Sequence, residues 1–260
     1  MATFQQLADF SPNFRVLGVR VDAVQIPQVV SRMEDWIRRR DRTRYVAVTG
    51  MHGVSESIHD PGFRSVLQQA DLVVPDGTPL VWLGRWHGHD LQRRVYGPEL
   101  METFCQLTGS RYRHFFYGGP PGVAEAIAST LQRKYQIQVA GTYTPPFRSL
   151  TADEERQLAQ LIENSAPDVL WVALSTPKQE KWMYQHRDSF PVPVMLGVGA
   201  AFDLNLGRLR QAPRWMREHG LEWLFRLLME PRRLWRRYLV NGPRFVFHVS
   251  LELLGMKKVS

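Results

Sequence analysis

The chain has one cysteine in 260 residues, so no internal disulfide can brace it, and a lone Cys105 fits a reducing compartment. Long apolar runs are missing too: no window approaches the roughly 18 residues that a membrane-spanning helix needs. "MATFQQLADF" has no basic segment leading into an apolar core, which argues against a secretory leader. Several site signatures are also lacking. There is no D-x-D, H-E-x-x-H, C-x-x-C, G-x-S-x-G or Walker-type GK[ST], which removes the sequence grounds for the chemistries those patterns carry. The histidines of "WHGHD" (86–90) suit an exposed turn better than a ligand pair, and neither metal nor cofactor is expected. Acid is scarce in one region only. From Arg208 onward twelve Lys and Arg face four Glu, whereas the first 207 residues carry 21 basic and 21 acidic groups. The whole formal excess of +8 therefore lies in the last fifth of the chain, which implies an anionic partner for the tail: nucleic acid, lipid headgroups or phosphates.

What is present is an alternation of short apolar runs with helical patterns. "YVAVTG" (45–50), "ADLVVPDG" (70–77), "RHFFYGG" (113–119), "IQVAGTY" (137–143), "DVLWVALS" (168–175) and "VPVMLGVG" (192–199) predict strands. Helices are predicted over Ser55–Gln69, Pro98–Thr108, Pro121–Tyr135, Thr151–Ser165 and Pro177–Arg187, with Pro as a starting residue and "TADE" at 151–154 as a capped first turn. Near-continuously apolar strands in this order imply an α/β fold: a Rossmann-like, mainly parallel sheet with helices on both faces. Residues 1–207 would form this core. Residues 208–260, where Leu and aromatics alternate with Arg, would form a basic helical appendage broken at Gly220, Pro231 and "NGP".

In such a sheet the strands' C-terminal ends share one edge, where open α/β sheets bind ligands. Asp76 falls there, directly after a strand, and either caps the next helix through "DGTP" or serves a ligand. Thr49, Gly118, Gly119, Tyr143 and Gly199 share that edge. "FFYGGPPGVAE" and "LGVGAAFD" are Gly-rich turns able to aim backbone N–H groups at an anion, though neither has G-x-G-x-x-G spacing. "LSTPKQEKW" puts Lys178 and Gln179 in a helix's first turn, the Lys favouring a nearby anion and the Gln offering a donor and an acceptor. In "EPRRLWRRY", Arg232, Arg233, Arg236 and Arg237 fall at spacings that make one guanidinium face on a helix, beside Leu234, Trp235 and Tyr238. That layout suits a membrane surface.

In series, "DPGFRSVLQQADLVVPDGTPLVW", "RVYGPELM", "FFYGGPPGVAE", "GTYTPPF", "PDVLWVALSTPKQEKWM", "GVGAAFD" and "APRWMREHGLEWLFRLLMEPRRLWRRY" resemble the WecG/TagA/CpsF family of bacterial glycosyltransferases, from about Val46 to Tyr238. The resemblance implies metal-independent, inverting transfer of a hexose-type sugar from a UDP-sugar to a polyprenyl-diphosphate-linked saccharide at the cytoplasmic membrane face. It also implies Asp76 as general base, with Thr49, Arg94 and Gln179 in the catalytic site. The appendage's arginines would close over that site, and Arg214, Arg232, Arg233, Arg236 and Arg237 are the candidates. Many members carry Asn two residues after the Thr; here that position is Met51, so the donor stays open among UDP-N-acetylmannosamine, its uronate and UDP-glucose. A homo-oligomer is compatible with all of this. The competing expectations are a nucleic-acid-binding protein using its basic tail and a nucleotide-dependent oxidoreductase resting on the Gly-rich turns. Nothing in the sheet portion serves nucleic acid, and no nucleic-acid partner is expected.

Overall fold

The structure is a computed structural model and describes residues 11–255. An antiparallel hairpin, β1 (Asn13–Val16) and β2 (Val19–Asp22), precedes helix α1 (Ile26–Arg39). Strands β3 (Arg44–Thr49), β4 (Leu72–Pro75), β5 (Arg113–Gly118), β6 (Gln138–Tyr143), β7 (Val169–Ala173) and β8 (Val194–Gly197) form a six-stranded sheet in the order β4-β3-β8-β7-β5-β6, with every pairing parallel. All six predicted strands are there, and the α/β expectation holds.

The strands read as continuous apolar runs because both faces are covered. Val46, Val48, Leu72, Val74, Phe116, Trp171 and Leu196 enter one core cluster, and their neighbours Tyr45, Ala47, Val73, Phe115, Tyr117, Val172 and Met195 enter the other. That is the two-residue strand period serving two cores at once. Helices α2 (Met51–His59) and α3 (Pro61–Gln68) connect β3 to β4; α4 (Thr78–Trp86) and α5 (Gly97–Thr108) connect β4 to β5. Then α6 (Val123–Tyr135), α7 (Ala152–Ser165) and α8 (Lys178–His186) join the remaining strands, and α9 (Ala201–Asn205) follows β8.

Local chemistry explains where the helices depart from expectation. The single helix expected over Ser55–Gln69 is two, and the first starts earlier, at Met51. Pro61 has no N–H to continue a helix, and the Asp60 carboxylate caps the second one by accepting from the Phe63 N–H at 2.8 Å. Pro121 lies outside α6, which starts at Val123 after Gly122, and Pro177 is the N-cap of α8 rather than its first residue. At α7 the expected box forms: Thr151 accepts from the Glu154 N–H at 3.3 Å, and Glu154 accepts from the Thr151 N–H at 2.8 Å.

The C-terminal segment holds α10 (Arg214–Glu218), α11 (Glu222–Met229), α12 (Pro231–Trp235), a π turn (Arg236–Val240) and α13 (Asn241–Leu253). Gly220 and Pro231 interrupt it as expected, but "NGP" does not. Pro243 sits in the first turn of α13, where a missing N–H is tolerated, and the wide π turn leads straight into it. The last helix is fastened to the core: Phe245 and Val249 are buried in the second cluster, and Glu252 Oε2 accepts from the Leu17 N–H at 2.9 Å. Among the described residues no helix is long and apolar enough to cross a membrane.

Candidate active site

Parallel strands bring Thr49, at the end of β3, beside Asp76, just past the end of β4. The Asp76 N–H donates to the Thr49 carbonyl at 2.8 Å. The backbones press so closely that a Cβ on Gly50 would stand 2.9 Å from the Asp76 carbonyl oxygen, and one on Gly53 would run into the Thr49 hydroxyl. Next to β4, the Val95 N–H donates to the Pro75 carbonyl at 2.8 Å, which aligns Arg94 with the same corner. Asp76 does not cap α4. The N-cap is Gly77, no side chain caps that helix, and Asp76 Oδ1 is closed to solvent with no hydrogen-bond partner among the described residues.

The appendage comes back to this corner. Gly220, at φ +73°, packs so that a Cβ there would be 3.2 Å from Thr78 Cγ2, which sets α11 beside Asp76. Glu222 forms an ion pair with Arg94, and Arg94 also lies over the Tyr96 ring, 4.1 Å from its centroid. Burial pushes the Asp76 carboxyl up to about 7 from 3.8; Arg94, Arg226 and Arg237 pull it down, while Glu222 pushes it further up. Burial works against the Arg94 guanidinium, yet the Asp76 and Glu222 carboxylates hold its value above the ordinary one. Burial draws Arg237 below its usual value. His52, in the first turn of α2, falls to about 4 through burial and the charge of Arg237, so it is neutral at physiological pH.

Unpaired polar atoms concentrate here. Thr49 Oγ1, His52 Nδ1, Asp76 Oδ1, Tyr96 Oη and Arg237 Nε are all buried without a hydrogen-bond partner among the described residues. Native proteins rarely leave such groups unpaired, and a cluster of them marks a place built to hold something polar.

The other predicted residues lie elsewhere along the edge. Gln179 is buried, with its amide engaged: Oε1 accepts from the Gly199 N–H at 2.9 Å and Nε2 donates to Glu180 Oε1 at 3.0 Å. Gly118, at φ +111°, would place a Cβ 2.6 Å from the Ala173 carbonyl oxygen, and the Gly119 N–H donates to that oxygen at 3.1 Å. The chain steps outward from β5 to β6 and then back through β7 to β8, so these glycines sit where the winding reverses. Lys178 is exposed at the start of α8. Tyr143 ends the far edge strand, its ring 5.8 Å from Tyr117. Four strands separate β4 from β6, so at about 4.8 Å per strand roughly 24 Å divides Tyr143 from Asp76.

The arginine run departs from expectation. Arg232, Arg233, Arg236 and Arg237 do not make one guanidinium face, because α12 ends at Trp235 and the wider π turn breaks the 3.6-residue phase. Arg232, Arg233 and Arg236 are exposed, Arg233 bonding Glu230 at 2.8 Å and Arg236 lying over the Trp235 ring at 5.3 Å. Arg237 alone turns inward. The side chain of Arg214 lies outside the described residues. Sequence inspection passed over His52, Glu222 and Arg226. The cue for the last two was "LEWLFR", which puts an acid and an Arg one turn apart on one helix face. Met51 is half-buried and packs against the second core cluster, its Cε 3.8 Å from where a Cβ on Gly242 would lie. His87 and His89 flank the Phe14 ring at 5.7 and 5.6 Å.

Known proteins resemble this chain over most of its length. Residues 14–259 match the glycosyl transferase WecG/TagA/CpsF family. A protein of Bacillus spizizenii named N-acetylglucosaminyldiphosphoundecaprenol N-acetyl-beta-D-mannosaminyltransferase is 30% identical over 85% of this chain and 84% of its own. Its namesake in Bacillus subtilis is 31% identical over 75% of each chain, and one from Staphylococcus aureus is 26% identical over 94% of each. With the match running from the hairpin through the appendage, the chain belongs to the WecG/TagA/CpsF family and is a glycosyltransferase.

Proposed function

We propose that the protein is an inverting transferase that moves a hexose-type sugar from a UDP-sugar to a polyprenyl-diphosphate-linked saccharide in cell-surface polysaccharide synthesis, with Asp76 as general base. The observation that carries this is the Asp76 carboxylate: an oxygen without a protein partner, at a strand end, ringed by Arg94, Arg226 and Arg237. A carboxyl held near 7 is well matched to accept a proton from an attacking hydroxyl at neutral pH, a contribution of about 10²–10⁴-fold in rate. Thr49 Oγ1 and the neutral His52 supply hydrogen-bonding groups for sugar hydroxyls.

As the anomeric bond breaks, the departing diphosphate gains charge. Arg226 and Arg237, brought in by the appendage, and the backbone N–H groups of the Gly-rich turns supply preorganised compensation. Gln179 acts indirectly by orienting Gly199. Association with a membrane surface is supported by the outer side of the appendage, where Trp215, Trp223, Leu228, Met229, Trp235 and Leu239 are exposed beside Arg232 and Arg236. N-acetylmannosamine is the donor sugar favoured by the relatives' names.

Incubating the purified protein with a panel of UDP-sugars and a short-chain lipid-diphosphate sugar, with and without chelator, tests the reading by product mass. Transfer of one sugar by the wild type and its loss in Asp76→Asn are expected. Undiminished turnover in that variant would move the base elsewhere, and loss of turnover under chelator would overturn metal independence.

A further inference from the structure

A cleft of about 710 Å³ opens beside the Asp76 corner, between α4, the segment 87–96, α5 and α10, and is lined by Thr78, Trp82, Arg85, Arg93, Arg94 and Arg217 among others. Its charge is unbalanced. Arg94 pairs with Glu222 and Arg93 with Glu99, while Glu102, which also lines the cleft, is held by Lys134 at 3.0 Å. Arg85 donates to the Leu91 and Gln92 carbonyls at 2.6 and 2.8 Å, which orients its guanidinium without neutralising it. Arg217 Nε is buried with no hydrogen-bond partner among the described residues. Among the described residues two guanidiniums, those of Arg85 and Arg217, thus lack a carboxylate in a concave site, an arrangement suited to an anion with several oxygens.

We infer that this cleft is the subsite for the diphosphate of the lipid-linked acceptor, distinct from the place of the donor's diphosphate. The inference rests on the transferase reading and on the geometry of inversion. In an in-line displacement the acceptor oxygen forms its bond to the anomeric carbon from the side opposite the departing UDP oxygen, and the base takes the hydroxyl proton on the acceptor's side. Asp76 lies at the end of an edge strand, with the remaining strand ends and both Gly-rich turns to one side of it. The cleft is lined beside it by Thr78 and Arg94, and farther along by Arg85 and Arg217 and by Pro98 and Asn205 near the second Gly-rich turn. The acceptor approaches through the cleft to its Thr78 and Arg94 end, and the diphosphate one sugar away from its hydroxyl meets Arg85 and Arg217. Trp82 in the cleft wall and Trp86 on the same helix are 56% and 75% exposed, and Trp215 beside Arg217's helix turn is 57% exposed. Large rings around a basic cleft suit the first isoprene units of a prenyl chain leaving a membrane surface.

Calorimetric titration of the full-length protein with farnesyl diphosphate, farnesyl monophosphate, inorganic pyrophosphate and UDP tests this. Arg85→Gln, Arg217→Gln and the double variant serve as probes, with circular dichroism and unchanged UDP affinity showing that they fold. The double variant should lose at least tenfold in farnesyl diphosphate affinity while UDP binding changes less than twofold. In turnover the acceptor KM should rise with little change in the UDP-sugar KM. Equal farnesyl diphosphate affinity in wild type and double variant would overturn the assignment. So would loss of UDP binding in parallel, which would make the cleft a donor site, or binding of farnesyl mono- and diphosphate alike. Failure of the transferase reading looks different: no UDP-sugar is turned over, yet farnesyl diphosphate binding still depends on Arg85 and Arg217, which leaves the diphosphate site standing.

Discussion

Two parts of the same sheet edge differ in how far their polar atoms are satisfied. Around β7 and β8 most of them satisfy one another: Gln179 joins Gly199 to Glu180, Thr176 bonds Glu180 at 2.8 Å, and Gly119 bonds Ala173, with Glu180 Oε2 the atom left without a partner there among the described residues. Around β3 and β4, Thr49, His52, Asp76 and Tyr96 each present a buried atom with nothing to bond among the described residues. The first part holds turn geometry; the second is the place proposed above for the substrates. Leaving buried polar groups unpaired costs stability, a penalty that the proposed site would carry for its chemistry.

The strongest way to break this comparison is Asp76→Asn. Transfer should fall by about 10²–10⁴-fold while UDP affinity is kept. Stability should move the other way. Because the folded carboxyl holds its proton up to about 7 rather than 3.8, its contribution is fully present at acid pH and is lost as pH rises through 7. The Asn variant escapes that loss and should melt higher than wild type at pH 8, with an upper bound of about 4 kcal/mol for a shift of roughly three units. The gain should disappear at pH 4. Melting curves at the two pH values measure both ends.

Gln179→Ala attacks the satisfied part. It leaves the Gly199 N–H and the buried Glu180 carboxyl short of partners and should cost about 1–3 kcal/mol in urea denaturation. A neutral result would show that the two parts are not differently built. Gly220→Ala combines positive φ with a close approach to Thr78. It should cost about 1–3 kcal/mol and lower kcat by displacing α11, a change visible in single-turnover transfer with UDP affinity retained.

Three finer changes sharpen the contrast. Glu222→Gln removes a charge that raises Asp76 and frees Arg94 to lower it, so the rising limb of kcat/KM should move to lower pH than wild type. Arg226→Gln should move it higher. Thr49→Val deletes an orphaned hydroxyl and should leave stability unchanged or slightly improved, with the loss confined to turnover.

Much of the core was legible because its signals are local. Two-residue and 3.6-residue periodicities name strands and helices, and "TADE" carries its own cap. Thr49, Asp76 and Gly118 could be placed on one edge because parallel strands leave no other arrangement. The hairpin β1–β2 and helix α1 have no counterpart among the predicted elements. The helix after "DGTP" was expected without bounds, because "TPLVWLGRW" mixes buried Leu80 and Val81 with exposed Trp82 and Trp86 and shows no clean stripe. The arginine run misled because spacing assumes an unbroken helix, and one π turn was enough to send Arg237 inward and its neighbours outward.

The sequence alone determined the alternating order, the apolar strands and hence the carboxylate at the rim, since these follow from backbone hydrogen bonding and burial over a few residues. Only the tertiary structure decided which charges meet that carboxylate. Arg94 and Glu222 are 128 residues apart, and their meeting depends on how the tail turns at Gly220 and Arg236–Val240, a matter of packing between distant segments that no local period encodes.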